Sequence, residues 1–178
     1  MPFKLIKSES IFTGRAFGVR RDWMETPDGG ETNFDIIEHH GSVIIVPVDG
    51  HNIYFVEQYR HATGKELLEL PAGTLETGED PAACAAREIR EETGFAASKL
   101  VKLGEFFLAP GYSTELMTVF LASGLEANPL ESDSDEFISL SVIAIDTVFK
   151  MAGSGKIMDA KTLAALLLAY DYLKKQNQ

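Results

Sequence analysis

The chain has a single cysteine, Cys84, in 178 residues. No intramolecular disulfide can form, so the fold must rest on its core, and a reducing setting suits it. Long apolar runs are also lacking. Nothing approaches the roughly 18–20 consecutive apolar residues of a membrane-spanning helix, and the first ten residues hold no apolar stretch of the signal-peptide kind. These absences lead to the expectation of a soluble, cytoplasmic protein with no membrane partner. Positive charge is scarce: 16 Lys and Arg stand against 27 Asp and Glu, a formal net charge of −11. Such a chain repels phosphate backbones, so nucleic acid is not an expected partner. A small anionic substrate would be repelled too unless cations screened the site, which makes a metal-bridged site plausible. No internal repeat or low-complexity linker divides the sequence.

What is present suits one domain over residues 1–178. Hydrophobic residues make up 45% and charged residues 24%, ordinary values for a globular chain. The first 40 or so residues read as strands. The turn signal Thr26-Pro-Asp-Gly-Gly30 separates Arg20–Glu25 from Glu31–Glu38 and predicts a hairpin. Ser42–Val48 is nearly all apolar and β-branched, as in a buried strand. Ile53–Gln58 and Glu66–Leu70 are further strands. Asp80 followed by Pro81 marks a helix start and Gly94 its end. Ala82, Ala85, Ala86, Ile89 and Thr93 recur at helical spacing and are its expected buried face. Strands follow at Leu100–Leu108, Glu115–Ala122 and Phe137–Ile145, with a short helix at Ile145–Met151. A last helix over Asp159–Lys174 carries Leu163, Leu166, Leu167 and Tyr170 as its expected buried stripe. Helices packed on a mixed sheet make an α/β (α+β) sandwich, preceded by an N-terminal antiparallel region.

The informative segment is Gly73–Phe95, GTLETGEDPAACAAREIREETGF. Glu88 and Glu92 are four apart and Glu88 and Glu91 three apart, so a helix projects all three from one side. Like charges at such spacing cost about 0.2–0.5 kcal/mol per pair when solvated. Arg87 can offset part of this by reaching Glu91, four residues on, or Glu79, but cannot neutralise four carboxylates. An acidic helix face is usually just solvated. Here Gly73 and Gly78 bracket a loop before the helix and put carboxylates at a strand–loop–helix junction, where hard oxygen donors suit Mg²⁺, with Mn²⁺ as a substitute.

This segment resembles the signature of the Nudix hydrolases. Gly73, Glu79, Arg87, Glu88, Ile89, Glu91, Glu92, Gly94 and Phe95 match each of its specified positions at the right spacing. The resemblance implies a Nudix-type α/β/α sandwich and a cation-assisted attack of water on a diphosphate. It implies Glu88, Glu92 and the Ala72 carbonyl as metal ligands, with Glu91 as a further ligand or a water-orienting catalytic group. Glu79 and Arg87 would hold the loop against the helix, and Glu79 is a further metal candidate.

Three more segments look like the ADP-ribose pyrophosphatase subgroup: Glu57–Arg60, Glu69–Gly73 and Gly155–Thr162. So does Pro110, sixteen residues after Gly94. The substrate they imply is ADP-ribose, cut to AMP and ribose 5-phosphate. Another nucleoside diphosphate sugar, a dinucleotide, or an ADP-ribose sensor that does not cut are the alternatives. Arg60 is a candidate to grip the diphosphate through its planar fork, or a strand-end surface residue. Glu115 is a candidate for the distal ribose or for metal, and Pro110-Gly111 is either part of the substrate site or a turn. In the subgroup an acidic residue on the loop before the final strand often acts as general base; Asp133 and Asp135 stand where relatives tend to have glutamates, and Glu136 is the alternative. Relatives are commonly homodimers whose N-terminal sheet covers the partner's adenine pocket, so a homodimer is expected. Trp23 and Phe34 lie in that region, and packing is their favoured use. The four histidines show no metal-ligand spacing, and Cys84, among alanines, reads as a small buried residue.

Overall fold

A computed structural model describes residues 2–131 and 137–176. The elements in chain order are β1 Lys4–Thr13, β2 Gly18–Glu25, β3 Glu31–Glu38, β4 Ser42–Asp49, β5 Asn52–Arg60, β6 Lys65–Glu69, β7 Ala72–Thr74, α1 Pro81–Thr93, β8 Phe95–Phe107, β9 Leu116–Ala127, β10 Ile138–Ala144, α2 Ile145–Gly153 and α3 Ala160–Gln176. They form two compact units, Met1–Gly41 with Phe106–Met117, and Ser42–Glu105 with Thr118–Gln178.

The first unit is built on a three-stranded sheet in the order β1-β2-β3. The expected hairpin is there. β2 and β3 pair antiparallel without a break from Gly18↔Glu38 to Glu25↔Glu31. Its turn closes by Gly29 N–H to the Thr26 carbonyl at 3.0 Å, with Gly29 at φ +86°, where a glycine meets no steric penalty. β1, which the sequence pattern did not separate, pairs antiparallel with β2 and has two register irregularities. All ten of its residues are exposed. The segment around Pro110 docks on the end of β3: Ile37 N–H donates to the Tyr112 carbonyl at 2.7 Å, and Thr114 N–H to the Ile37 carbonyl at 3.0 Å.

The second unit holds the main core. Its sheet runs β10-β5-β4-β9-β8, with β6 added on β5 and β7 on β4. Ser42 through Val48 of β4 are all buried, which requires cover on both faces. Val43 and Ile45 cluster with Cys84, Ala85 and Ile89 of α1 and with Phe120 and Ala122 of β9. α3 also packs on β4. Alternate β4 side chains point to opposite faces, so helices cover the strand on two sides, the expected layered sandwich. Each large aliphatic side chain buried this way contributes about 1.5–3 kcal/mol.

Both helix faces differ from their expected stripes. On α1 the buried residues are Cys84, Ala85, Glu88, Ile89 and Thr93, whereas Ala82 and Ala86 are exposed. Alanine is small enough to sit on either side of a helix, so it is a weak marker of the buried face. On α3 the buried set is Thr162, Ala165, Leu166, Ala169 and Leu173, and Leu163, Leu167 and Tyr170 are exposed. The buried face of α3 mixes small residues, Ala165 and Ala169, with large ones, Leu166 and Leu173. Boundaries shifted as well, since β8 starts directly at Phe95 rather than at Leu100. Among the described residues no helix is long and apolar enough to cross a membrane.

Candidate active site

The site grows from the junction of β7 and α1. Asp80 caps the helix by accepting from the N–H groups of Ala82 (3.0 Å) and Ala83 (3.1 Å), and Pro81 occupies the first turn. Gly94 ends it at φ +79°, donating its N–H to the Arg90 carbonyl. The start, end and rotation of α1 are thereby fixed, and its carboxylates face β7.

Two of them touch the strand. Glu92 Oε2 accepts the Ala72 N–H at 3.1 Å. Glu88, 8% exposed, lies directly against Gly73. A Cβ at Gly73 would fall 1.9 Å from both Cδ and Oε1 of Glu88, so only glycine admits this carboxylate. Ala72, Glu88 and Glu92, the set named through the family resemblance, therefore lie together at the junction of β7 and α1.

Arg87 organises the rest. Its Nε and Nη2 donate to Glu79 at 3.1 Å each, and its Nη1 donates to Glu88 at 2.7 Å and to Glu91 at 2.8 Å. Glu79 is further pinned by the Glu76 N–H at 3.0 Å. The Arg87 hydrogen bonds, followed by smaller contributions, hold the Glu79 carboxyl below its ordinary range, and the same partnership raises the guanidinium of Arg87. One guanidinium thus serves three carboxylates. Among the described residues no three His, Cys, Asp or Glu side chains form a ready-made metal-ligand group. Arg87 lies between the acidic groups. The residues nonetheless fit a hard divalent cation: the donors are carboxylate oxygens in negative excess, and the Gly73 cradle holds one of them against the strand.

Arg60, at the end of β5, presents its Nε and Nη2 to Glu69 at 2.9 and 2.7 Å. Hydrogen bonding to Glu69 raises its pKa, with a smaller contribution from the charge of Glu92. Glu69 is 1% exposed and also receives Lys161 of α3. Burial, the largest single influence, pushes Glu69 up, but Arg60 and Lys161 outweigh it and leave the carboxyl below its usual range. Of this second charge group only Arg60 had a role assigned from sequence; Glu69 and Lys161 had none. The group's signal was the occurrence of Glu69 and Lys161 within the two quoted segments, Glu69–Gly73 and Gly155–Thr162.

Pro110 and Glu115 belong to the other compact unit, where Glu115 accepts the Leu108 N–H through its carbonyl at 3.2 Å. Asp133, Asp135 and Glu136, the candidates for general base, lie outside the described residues. Phe34 packs edge-on against Phe3, with ring centroids 5.7 Å apart, and Lys7 Nζ sits 4.6 Å from the Trp23 ring centroid. His39 Nδ1 accepts the Gly41 N–H at 3.1 Å, a structural use. Cys84 is buried, and desolvation, with Glu88 and Glu79 adding to it, pushes its thiol up to about 12, which excludes a thiolate nucleophile.

The fold and the complete acidic box define a hydrolase of one class: the NUDIX domain family matches residues 38–166, and the chain belongs to that family. It is a Nudix hydrolase. The chain is similar to the ADP-ribose pyrophosphatase of Bacillus subtilis (strain 168), with 36% identity over 98% of this chain and 95% of the relative. Its identity to the ADP-ribose pyrophosphatase of Mycobacterium tuberculosis is 38%, over 94% of this chain and 83% of the other. Similarity to the methanol dehydrogenase activator of Bacillus methanolicus is also 36%, over 98% and 94%. In structure it matches a crystallised ADP compounds hydrolase with a TM-score of 0.88 over 99% of this chain and 96% of that one; at 24% identity this likeness speaks to the fold alone.

Proposed function

We propose that the chain is a Mg²⁺-dependent ADP-ribose diphosphatase that releases AMP and ribose 5-phosphate. The observation that carries this reading is the approach of Glu88 and Glu92 to the Ala72–Gly73 backbone, with Arg87 leaving the acidic group in negative excess. The similarity to two ADP-ribose pyrophosphatases supports the choice of substrate.

In this reading Glu88, Glu92 and the Ala72 carbonyl hold the cation, with Glu91 and Glu79 as additional donors. When bound, Mg²⁺ or Mn²⁺ supplies neutralisation of the diphosphate charge and a more acidic water. Arg87 keeps the loop carrying Glu79 against α1. Arg60 grips the diphosphate, Glu115 and Pro110 serve the distal ribose side, and Asp133 or Glu136 takes the proton from water. The exposed apolar residues of the first unit, Leu5, Ile6, Ile11 and Phe12 among them, support a homodimer in which a second copy would cover part of this surface. The single buried cysteine suits a cytoplasmic setting.

Incubation of the purified chain with ADP-ribose and Mg²⁺ tests the proposal. AMP and ribose 5-phosphate are the expected products, and no AMP at micromolar enzyme overturns it. Parallel assays with GDP-mannose and dinucleotides decide between ADP-ribose and the other diphosphates. The relative from Bacillus methanolicus favours a second reading, activation of a methanol dehydrogenase. Stimulation of such a dehydrogenase by this chain, without any diphosphate cleavage, would select it.

A further inference from the structure

In the charge group joining β5, β6 and α3, Arg60 alone has a part in the mechanism above, and Glu69, Asp159 and Lys161 have none. Arg60 meets Glu69 through its Nε–Nη2 edge, at 2.9 and 2.7 Å, and the Nη1 side stays outside that fork. Lys161 Nζ bonds the same Oε2 that Nη2 uses, and it pairs with Asp159 Oδ1 at 3.0 Å. Asp159 Oδ2 accepts from the Thr162 N–H at 3.0 Å and from its hydroxyl at 2.6 Å, and that hydroxyl accepts the buried Leu70 N–H at 2.8 Å.

Two cations thus face two carboxylates, and Arg60 stands at the outer end, its side chain 40% exposed against 1% for Glu69. Without Lys161 the group would go from neutral to negative: Glu69 and Asp159 would carry one negative charge more than Arg60 can offset, directly behind a guanidinium that has to attract an anion. We infer that Lys161 is a positioning residue which, acting through Glu69, keeps Arg60 oriented and electrostatically available to a bound diphosphate. This rests on the reading of Arg60 as the diphosphate grip. Arg60 lies on β5 and Lys161 on α3, 101 positions later in the chain, so nothing local in sequence joins them. Binding, rather than the chemical step, is where the effect falls, because no atom of Lys161 is required at the reacting phosphorus.

Steady-state AMP release and calorimetric titration in EDTA, the latter with ADP-ribose and with inorganic pyrophosphate, test this. Lys161→Met is expected to raise KM roughly three- to fivefold, the upper end for one partly screened charge, with kcat within about twofold. Pyrophosphate affinity should fall by a similar factor. Lys161→Arg, which keeps the charge, should restore KM. Thr162→Val serves as the structural comparator: it removes the hydroxyl links to Leu70 and Asp159 without changing charge, so the melting temperature should drop by several degrees while KM stays put. Unchanged KM and pyrophosphate affinity in Lys161→Met overturn the inference, as does a Thr162→Val variant that raises KM equally. If Lys161→Met melts below the assay temperature, Lys161→Gln replaces it under the same criteria. Arg60→Ala separates the two layers. A KM unaffected by that change sinks the Arg60 reading and the inference with it. If ADP-ribose is not cleaved at all, the substrate reading fails alone, and the pyrophosphate titrations still decide the role of Lys161.

Discussion

Two charge groups lie at the two ends of the stretch from Glu69 to Gly73, and they are built on opposite plans. Around Glu69, two cations meet two carboxylates, and the central carboxylate is 1% exposed. Around Arg87, one guanidinium meets Glu79, Glu88 and Glu91, whose side chains are 15%, 11% and 21% exposed. Charge removed from water costs several kcal/mol per ion unless it is paired and hydrogen-bonded. The buried group obeys that rule. In the Arg87 group three carboxylates share one guanidinium, with Glu92 on the next turn. One group pairs its charges one to one, and its neighbour has more carboxylates than cations, the arrangement the proposed cation would use. The contrast locates the site more sharply than the abundance of glutamate does.

The sharpest way to break the comparison is to delete the central carboxylate of the balanced group. Glu69→Gln leaves Arg60 and Lys161 facing an amide and is expected to cost about 3–5 kcal/mol at pH 7, the range for breaking a buried pair. The sign with pH follows from the depressed carboxyl. Its stabilisation is fully present above the unfolded value of 4.5 and is lost as pH falls through the lower folded value. Denaturant melts at pH 7 and pH 3.5 should therefore show a wide gap between wild type and variant that narrows in acid. A gap independent of pH would mean that Glu69 acts by packing rather than by charge.

Deleting a carboxylate from the group in deficit should do the reverse. Glu92→Gln is expected to cut turnover by about 10²–10³-fold, the scale for losing one preorganised electrostatic contact. Stability in EDTA should hold or rise, because repulsion along α1 is relieved and the amide oxygen can still accept the Ala72 N–H. Near-normal turnover would remove Glu92 from the metal site. A large loss of stability would show that the two groups are alike after all.

The sequence made the second group's position legible and its plan only partly so. Spacing on a helix is local, so Glu88, Glu91 and Glu92 could be put on one side of α1, with Asp80 and Gly94 as its ends, before any tertiary contact was known. The reach of Arg87 to Glu79 and Glu91 was equally local. By contrast, the Glu69 group joins residues separated by 92 positions, and no periodicity reports such a pairing. Burial on α1 and α3 follows the expected stripes at Ala85, Ile89, Thr93 and Leu166 and departs from them elsewhere, for a related reason. Ala82 and Leu163 satisfy the helical period, but the rotation of each helix about its axis, set by packing of the whole unit, puts Cys84 and Ala165 inside. The exposed strand β1 was hidden because Lys4–Thr13 has no one-sided alternation to betray it.

A subtler change sharpens the contrast at the backbone. Gly73→Ala would drive a Cβ into Glu88, and the carboxylate must swing away, since β7 is held in the sheet by its pairing with β4. A side-chain end yields more cheaply than a strand. Stability is therefore expected to change little, while activity falls roughly tenfold or more through the misplaced carboxylate, as displacement of an aligned group does. Activity that falls only in step with the melting temperature would make Gly73 a packing residue rather than a cradle.

The smallest expected effect comes from a residue that serves α1 without belonging to either group. Asp80 accepts two N–H bonds at the start of the helix and touches none of the site carboxylates. Asp80→Ala should cost about 1 kcal/mol, the usual worth of an N-cap, read from the denaturant midpoint with an unchanged slope. Frayed residues at the first turn lie more than one turn from Glu88, so kcat/KM should stay within about twofold, below the roughly 1.4 kcal/mol that a tenfold change represents. A drop in kcat/KM beyond that would mean that the first turn of α1 is coupled to the carboxylates. The most economical route for such coupling is the loop on which Arg87 holds Glu79, one residue before the cap, and Glu79→Gln combined with Asp80→Ala would then show non-additive losses in kcat/KM.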